Sequence, residues 1–243
     1  MDANLRHLVE RVKALESRGG DFGESGSKTR TVTTAVGDLT TRLHEWLGAE
    51  GPAEAPWLPP VAVLTHAACR AQQTLGETDA KLIVWIGRAV WPYPAVLDEK
   101  AIAASIWVEP RDMAERARAV EQALRSPAVA AVVADGSGLS FAVTRRLQLA
   151  AEAGRALAML ARPMREISSR SAAAYRWRVD VAEAINGYPR WRVERIRSKD
   201  AAESYGKRMT SQACFVEWHH AQGLVAVPAV VADRADRPTR RSA

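Results

Sequence analysis

The sequence predicts an α/β fold: a mostly parallel sheet flanked by helices, a C-terminal antiparallel ribbon, and an N-terminal helix with a linker. Three observations carry this expectation. Short apolar runs rich in β-branched residues, at 81–86, 105–108 and 129–134, lack a polar face, as strands covered on both sides require. Segments of helical spacing alternate with them from residue 42 to 162, the order of a parallel sheet built by crossovers. After Pro163 the pattern changes to alternation of apolar and charged residues over 175–181 and 190–196, joined through Asn186-Gly187. That is the mark of a half-exposed antiparallel ribbon.

Taken in order, residues 1–18 place Leu5, Leu8, Val12 and Leu15 on one helical stripe with charges on the other faces, an amphipathic helix whose stripe is a candidate partner-binding surface. Residues 19–30 are a Gly/Ser-rich linker, too poor in apolar surface to fold alone. A core over 31–162 follows. Its first strand, Arg42 to Gly48, leads through a loop into a helix over 59–75 that begins with proline, a residue suited to a first turn. The strand Lys81 to Ile86 opens onto an aromatic, proline-rich loop, and the strand Ser105 to Val108 onto a helix from Asp112 to Arg125. The stretch 127–163 then reads as strand, acid, small-residue turn, helix and strand, with Asp135 at the carboxyl end of Val129–Ala134 and Gly154 as the helix stop. Such an edge is where parallel sheets place ligand chemistry. Residues 163–230 form the antiparallel extension, with a last pair at 214–219 and 223–227, and 231–243 reads as a disordered basic tail.

The chain has 243 residues and a net charge of +6, and its excess is local: residues 162–208 hold 12 Lys/Arg against 6 acids. Arg162, Arg165, Arg170, Arg176, Arg178, Arg192 and Arg197 are therefore the candidate contacts to a nucleic acid or to an acidic partner, in a face that would bind with salt-sensitive affinity. Two cysteines, Cys69 and Cys214, give no disulfide framework, and a reducing, cytoplasmic setting follows. No segment approaches the roughly 20 apolar residues of a membrane span, and no signal peptide is evident. Cys214 with His219 and His220 lacks a third ligand, so no metal is expected.

The strand–loop–helix at 42–75 has the layout of a phosphate loop. Counting from Gly48, the second glycine, the lysine and the hydroxyl of that motif should fall at 53, 54 and 55, where the chain has Ala53, Glu54 and Ala55. The lysine compensates phosphate charge and the hydroxyl ligates Mg²⁺. A carboxylate at 54 repels phosphate, and Pro52 removes an amide donor. No nucleotide cofactor and no enzymatic activity are expected.

The segments LHEWLGAEG, KLIVWIGR, SIWVEPRD, AVEQALRSPAVAAVVADGSGLSFAVTRRLQLAAEAG and SAAAYRWRV carry a resemblance. In order and content they resemble the RecA-like fold, and most closely the ImuA group of SOS-mutagenesis proteins, related to RecA and to the cell-division inhibitor SulA. The likeness covers roughly residues 30–200. It implies that Gly48 matches the first Walker A glycine and Asp135 the Walker B acid, while Glu54 and Ala55 depart from the lysine and hydroxyl. Gly87 and Arg88 stand where a catalytic glutamate is expected. The resemblance thus implies a RecA-like core that has lost its ATPase, with RPMREISSRSA at the place of a DNA-contacting loop. It implies a non-catalytic accessory role in translesion synthesis. The partners it implies are an ImuB-type Y-family-like protein, an error-prone C-family polymerase and RecA, and it makes single-stranded DNA the nucleic acid that the candidate arginines would meet. A SulA-like inhibitor of the cell-division GTPase and a DNA-binding ATPase with an atypical phosphate loop are the alternatives.

Overall fold

The computed structural model describes residues 29–50, 57–76, 81–92, 96–199, 213–219 and 222–227, together with Glu10. The amphipathic stripe of Leu5, Leu8, Val12 and Leu15, the linker up to residue 28, Glu54, Ala55 and the basic tail lie outside the described residues.

Among the described residues, nine strands form one sheet, centred on β3 (Leu43–Gly48). On one side of β3 lie β7 (Leu157–Pro163), β6 (Val129–Asp135), β4 (Leu82–Ile86) and β5 (Ser105–Val108), all parallel. On the other side β8 (Tyr175–Ile185) pairs parallel with β3. From β8 the sheet turns antiparallel through β9 (Tyr188–Ser198), β10 (Ala213–His219) and β11 (Gly223–Val227). The expected fold is thus present as a mostly parallel sheet flanked by helices with C-terminal antiparallel strands, and the extension is continuous with the core sheet. β3, β4 and β7 are buried along their whole length, which explains why their sequences carry so little alternation.

Helices cover both faces. α1 (Val61–Leu75) packs Leu64, Ala67, Ala68, Ala71 and Leu75 against one face. α3 (Met113–Arg125) and α4 (Phe141–Gly154) cover the other, and a short α2 (Glu99–Ala103) precedes β5. The N-caps follow from local chemistry. Asp98, Asp112 and Ser140 accept the amides of Ala101, Glu115 and Val143, and the Glu115 carboxylate reaches back to the Arg111 amide at 2.7 Å. Gly154 is the last helical residue of α4, and Arg155 takes the left-handed conformation after it (φ 55°). The glycine serves packing instead: a Cβ there would lie 1.8 Å from the Leu124 carbonyl oxygen of α3.

A hairpin of β1 (Thr31–Thr34) and β2 (Gly37–Thr40) was not anticipated from the sequence. It buries Val32 and Leu39 in the α1-side core.

Candidate functional site at the carboxyl edge of the sheet

The carboxyl ends of β3, β6 and β7 bring together Gly48, Asp135 and Arg162. Just past Gly48 the chain meets its own return at Leu58, whose amide donates to the Ala49 carbonyl at 2.9 Å. A Cβ on Gly48 would lie 2.2 Å from the Leu58 carbonyl oxygen, so this glycine makes room for returning backbone. α1 then starts on Pro59-Pro60, which have no N–H, and the Val61 amide donates to the Pro59 carbonyl at 2.8 Å. A phosphate-binding helix start needs free amides there. Two are missing and two more, those of Leu58 and Val61, are engaged.

Asp135 is equally committed. One carboxylate oxygen accepts the Ser137 amide at 2.9 Å and the Ser137 hydroxyl at 2.6 Å. The other is ion-paired to Arg116 of α3, whose second amino group donates to the Ser137 carbonyl at 2.7 Å. Gly87 is required beside it: φ is +90° and a Cβ would sit 3.2 Å from that of Asp135. The next residue, Arg88, points outward and pairs with Glu109 at 2.7 Å. These residues do not fit a magnesium nucleotide, since the acid that would hold the ion's water shell already holds a guanidinium.

Beside them lies a buried ionic cluster. Glu45 of β3 has no solvent exposure, and it faces Arg176 across the β3–β8 register. Its Oε1 accepts from Arg162 Nη1 and from the Ser171 hydroxyl, both at 2.7 Å. Arg176 Nε lies 2.9 Å from Glu45 Oε2, close enough to pair but off the hydrogen-bond line. Arg162 also bonds Glu166, through Nε at 2.8 Å and Nη2 at 2.6 Å. Two cations and two anions thus balance in the interior, as burial demands. Burial opposes the Arg162 charge, but Glu45 and Glu166 hold its pKa above the ordinary guanidinium value. The pKa of Arg176 is lowered, by burial first and then by Arg162 and Arg197, with Glu45 opposing.

The candidate DNA-contacting arginines therefore divide. Arg162 and Arg176 are turned inward (1% and 6% exposed) and do not present the solvent-facing charge that expectation needs. Arg176 instead donates to the Ile167 and Glu166 carbonyls at 2.7 and 3.1 Å, tying down the segment after β7. Arg178 pairs with Asp180, Arg192 with Glu194 and Asp180, and Arg165 with Glu50. Arg170 is exposed over the ring of Phe141, and Arg197 donates to the Ser171 carbonyl. Of Cys214 and His219, the first packs against the α1-side core and the second stacks on Tyr188 at 4.0 Å.

Sequence reasoning missed Arg116 and Ser137 as partners of Asp135, and Ser171 and Glu166 as partners of the arginines. Ser137 could have been found, since an Asp-x-Ser turn invites the aspartate to accept the backbone two residues on. Arg116 gave no signal, because its reach to Asp135 depends on how α3 lies on the sheet. A cavity of about 560 Å³ between α1 and the β10–β11 turn, lined by His66, Cys69, Arg70, Asp98 and Trp218, includes neither Gly48 nor Asp135. Burial, with Asp98 adding, pushes the Cys69 thiol up to about 11, which keeps it protonated and poorly nucleophilic.

Fold and site together define an α/β protein in which, among the described residues, the acid and the helix start at the sheet's carboxyl edge are engaged by the chain's own side chains and backbone. No family model matches the chain. It is similar to Protein ImuA of Caulobacter vibrioides, in strain NA1000 / CB15N and in strain ATCC 19089 / CIP 103742 / CB 15. Each is 34% identical over 208 residues, an alignment covering 72% of this chain and 82% of the relative. The chain belongs to the ImuA family.

Proposed function

We propose that the protein is a non-catalytic accessory factor of DNA-damage-induced translesion synthesis, one that joins polymerase-assembly proteins to RecA on damaged DNA. Membership of the ImuA family supports the accessory role, and the family resemblance supplies the partners: an ImuB-type Y-family-like protein, an error-prone C-family polymerase and RecA. The observation that carries the non-catalytic part is the capture of Asp135 by Arg116 and Ser137. Direct DNA contact is left out for Arg162 and Arg176, which are internal counter-ions, and for Arg165, Arg178 and Arg192, which are ion-paired; Arg170 and Arg197 belong to a different surface.

The test is calorimetric titration with ATP and Mg²⁺ of the natural protein and of Glu54→Lys/Ala55→Thr. Neither is expected to give heat, since the substitutions restore a lysine and a hydroxyl without freeing Asp135 or the amides at 58–61. Micromolar binding by the natural protein would overturn the reading. Pull-down should recover the ImuB-type protein; recovery of the cell-division GTPase in its place would point to an inhibitor.

A further inference from the structure

α4 presents one stripe to solvent. Phe141, Arg145 and Leu149 stand at i, i+4 and i+8, so they share a face and span about 12 Å of helix. Phe141 is 48% and Leu149 46% exposed, whereas Leu147 of the same helix is fully buried. Large apolar side chains on an outer helix face, rimmed by charge, mark a contact surface.

The rim is cationic. The Arg170 guanidinium lies 5.8 Å from the Phe141 ring centroid, and Arg145 is exposed one turn along. Arg197 and Lys199, at the end of β9, reach the same place by donating to the Ser171 and Ala172 carbonyls at 3.2 and 2.7 Å. Among the described residues none of these four cations has a carboxylate at ion-pair distance, whereas Arg146 on the same helix pairs with Glu121 at 3.5 Å. The nearby carboxylate, that of Glu152, accepts a hydrogen bond from Gln148 at 2.7 Å. The cations crowd one another: the pKa of Lys199 is lowered, by burial first and then by Arg197 and Arg145.

We propose that this face of α4 docks an acidic amphipathic helix of a partner protein, its apolar side chains packing on Phe141 and Leu149 and its carboxylates meeting Arg145, Arg170, Arg197 and Lys199. Two apolar anchors two turns apart on a straight helix match the i, i+7 or i+8 anchors of such a segment. A single strand of nucleic acid fits less well, because bases need aromatic platforms. Phe141 is the one ring of the stripe, and Arg170 already lies over it. The inference rests on the accessory reading of the protein.

Fluorescence anisotropy on the full-length protein tests it. The probe is a labelled synthetic helix of Leu, Glu and Ala with Leu on one face; the controls are a scrambled peptide of the same composition and an oligothymidylate competitor. The amphipathic helix should bind at least about tenfold more tightly than the scrambled one. Phe141→Ser/Leu149→Ser should weaken it about tenfold, the scale of lost apolar anchors. Arg145→Gln/Lys199→Gln should weaken it about fivefold and flatten its salt dependence. Both variants alter exposed side chains and should keep the natural circular dichroism melt. Equal binding of both peptides, or unchanged affinity in the Phe141/Leu149 variant, would overturn the proposal. So would displacement of the probe by equimolar oligothymidylate, which would give the face to nucleic acid. Peptide failure without ATP binding in the calorimetric titration sinks the docking surface alone; ATP binding there sinks the accessory reading and leaves a peptide result standing.

Discussion

Glu45 shows what a single residue can fix at this sheet edge. Its carboxylate has left water entirely, and two guanidiniums and a hydroxyl replace its hydration. Taking away the anion alone leaves Arg162 with the Glu166 carboxylate and Arg176, among the described residues, with backbone carbonyls alone. Glu45→Gln is therefore expected to lower the unfolding free energy by about 3–5 kcal/mol, the cost of breaking a buried pair from one side. Arg88→Gln, which breaks an exposed pair, should change it by under about 1 kcal/mol. Urea denaturation reads both, and a loss near zero for Glu45→Gln would show that packing rather than charge holds the cluster. His66 makes stability depend on pH. Burial, and then Arg70, lower its pKa from 6.5 to about 4, and its Nε2 accepts the Ala35 amide at 3.3 Å. Below pH 6.5 the unfolded chain takes up a proton that the folded chain refuses. Stability should thus be flat above about pH 7 and fall as pH drops from 6.5 toward 4, by about 1–3 kcal/mol from this residue. Thermal melts between pH 7 and 5 should show this slope reduced in His66→Gln; an identical slope in both proteins would assign it to other groups.

Among the elements, the α3–α4 pair depends on one absent side chain. On helix propensity alone Gly154→Ala should stabilise, by up to about 1 kcal/mol. The Leu124 carbonyl at 1.8 Å from the added Cβ reverses the sign, and a loss of about 1–3 kcal/mol is expected as the two helices are forced apart. A raised melting temperature would contradict that close approach. The same element shows how far the sequence could be read. The run Val129 to Asp135 and the caps Asp112 and Ser140 are local features, so both-face burial and capping chemistry reveal them. Gly154 read as a helix stop because its actual constraint comes from α3. The β1–β2 hairpin escaped because its four-residue strands bury just Val32 and Leu39, too few to stand out as a period. The site divides in the same way. Asp135 was legible from its place at a strand end, while Arg116 was not. Alternation placed Arg176 on a polar face of β8, but that face meets Glu45 across β3, more than a hundred residues away in sequence. Long-range register, not local pattern, turned a candidate DNA contact into a counter-ion.

Across the whole molecule, β8 makes one cooperative unit of what the sequence suggests are a core and an extension. It pairs parallel with β3 and antiparallel with β9, so the hydrogen-bond ladder runs unbroken from β5 to β11. On the α1 side a ring stack locks the joint: His44 lies 4.6 Å from Tyr175 and Trp46 5.0 Å from Trp177. The Trp177 indole donates to His44 Nδ1 at 3.1 Å, which leaves Nε2–H to donate to the Thr40 carbonyl at 2.9 Å. On the other side Arg176 and Ser171 complete the shell of Glu45. A chain ended at Pro163 would keep β3 to β7 but bare the edge of β3, uncover Trp46 and leave Glu45 with Arg162 alone. Each is a large penalty against a total stability of about 5–15 kcal/mol. The full chain is accordingly expected to unfold in urea in one transition, with tryptophan fluorescence and far-ultraviolet circular dichroism coincident. The piece 1–163 should show no cooperative transition and should aggregate. Two separated transitions in the full chain, or a sharp one in the truncated piece, would mean that the antiparallel strands are an appendage. The joint at β8 also bears on the proposed α4 surface, because Arg197 and Lys199 reach α4 through the β8–β9 ladder. Loosening that joint with Trp177→Ala should therefore weaken the amphipathic peptide as well as the fold, whereas Phe141→Ser/Leu149→Ser should weaken the peptide alone.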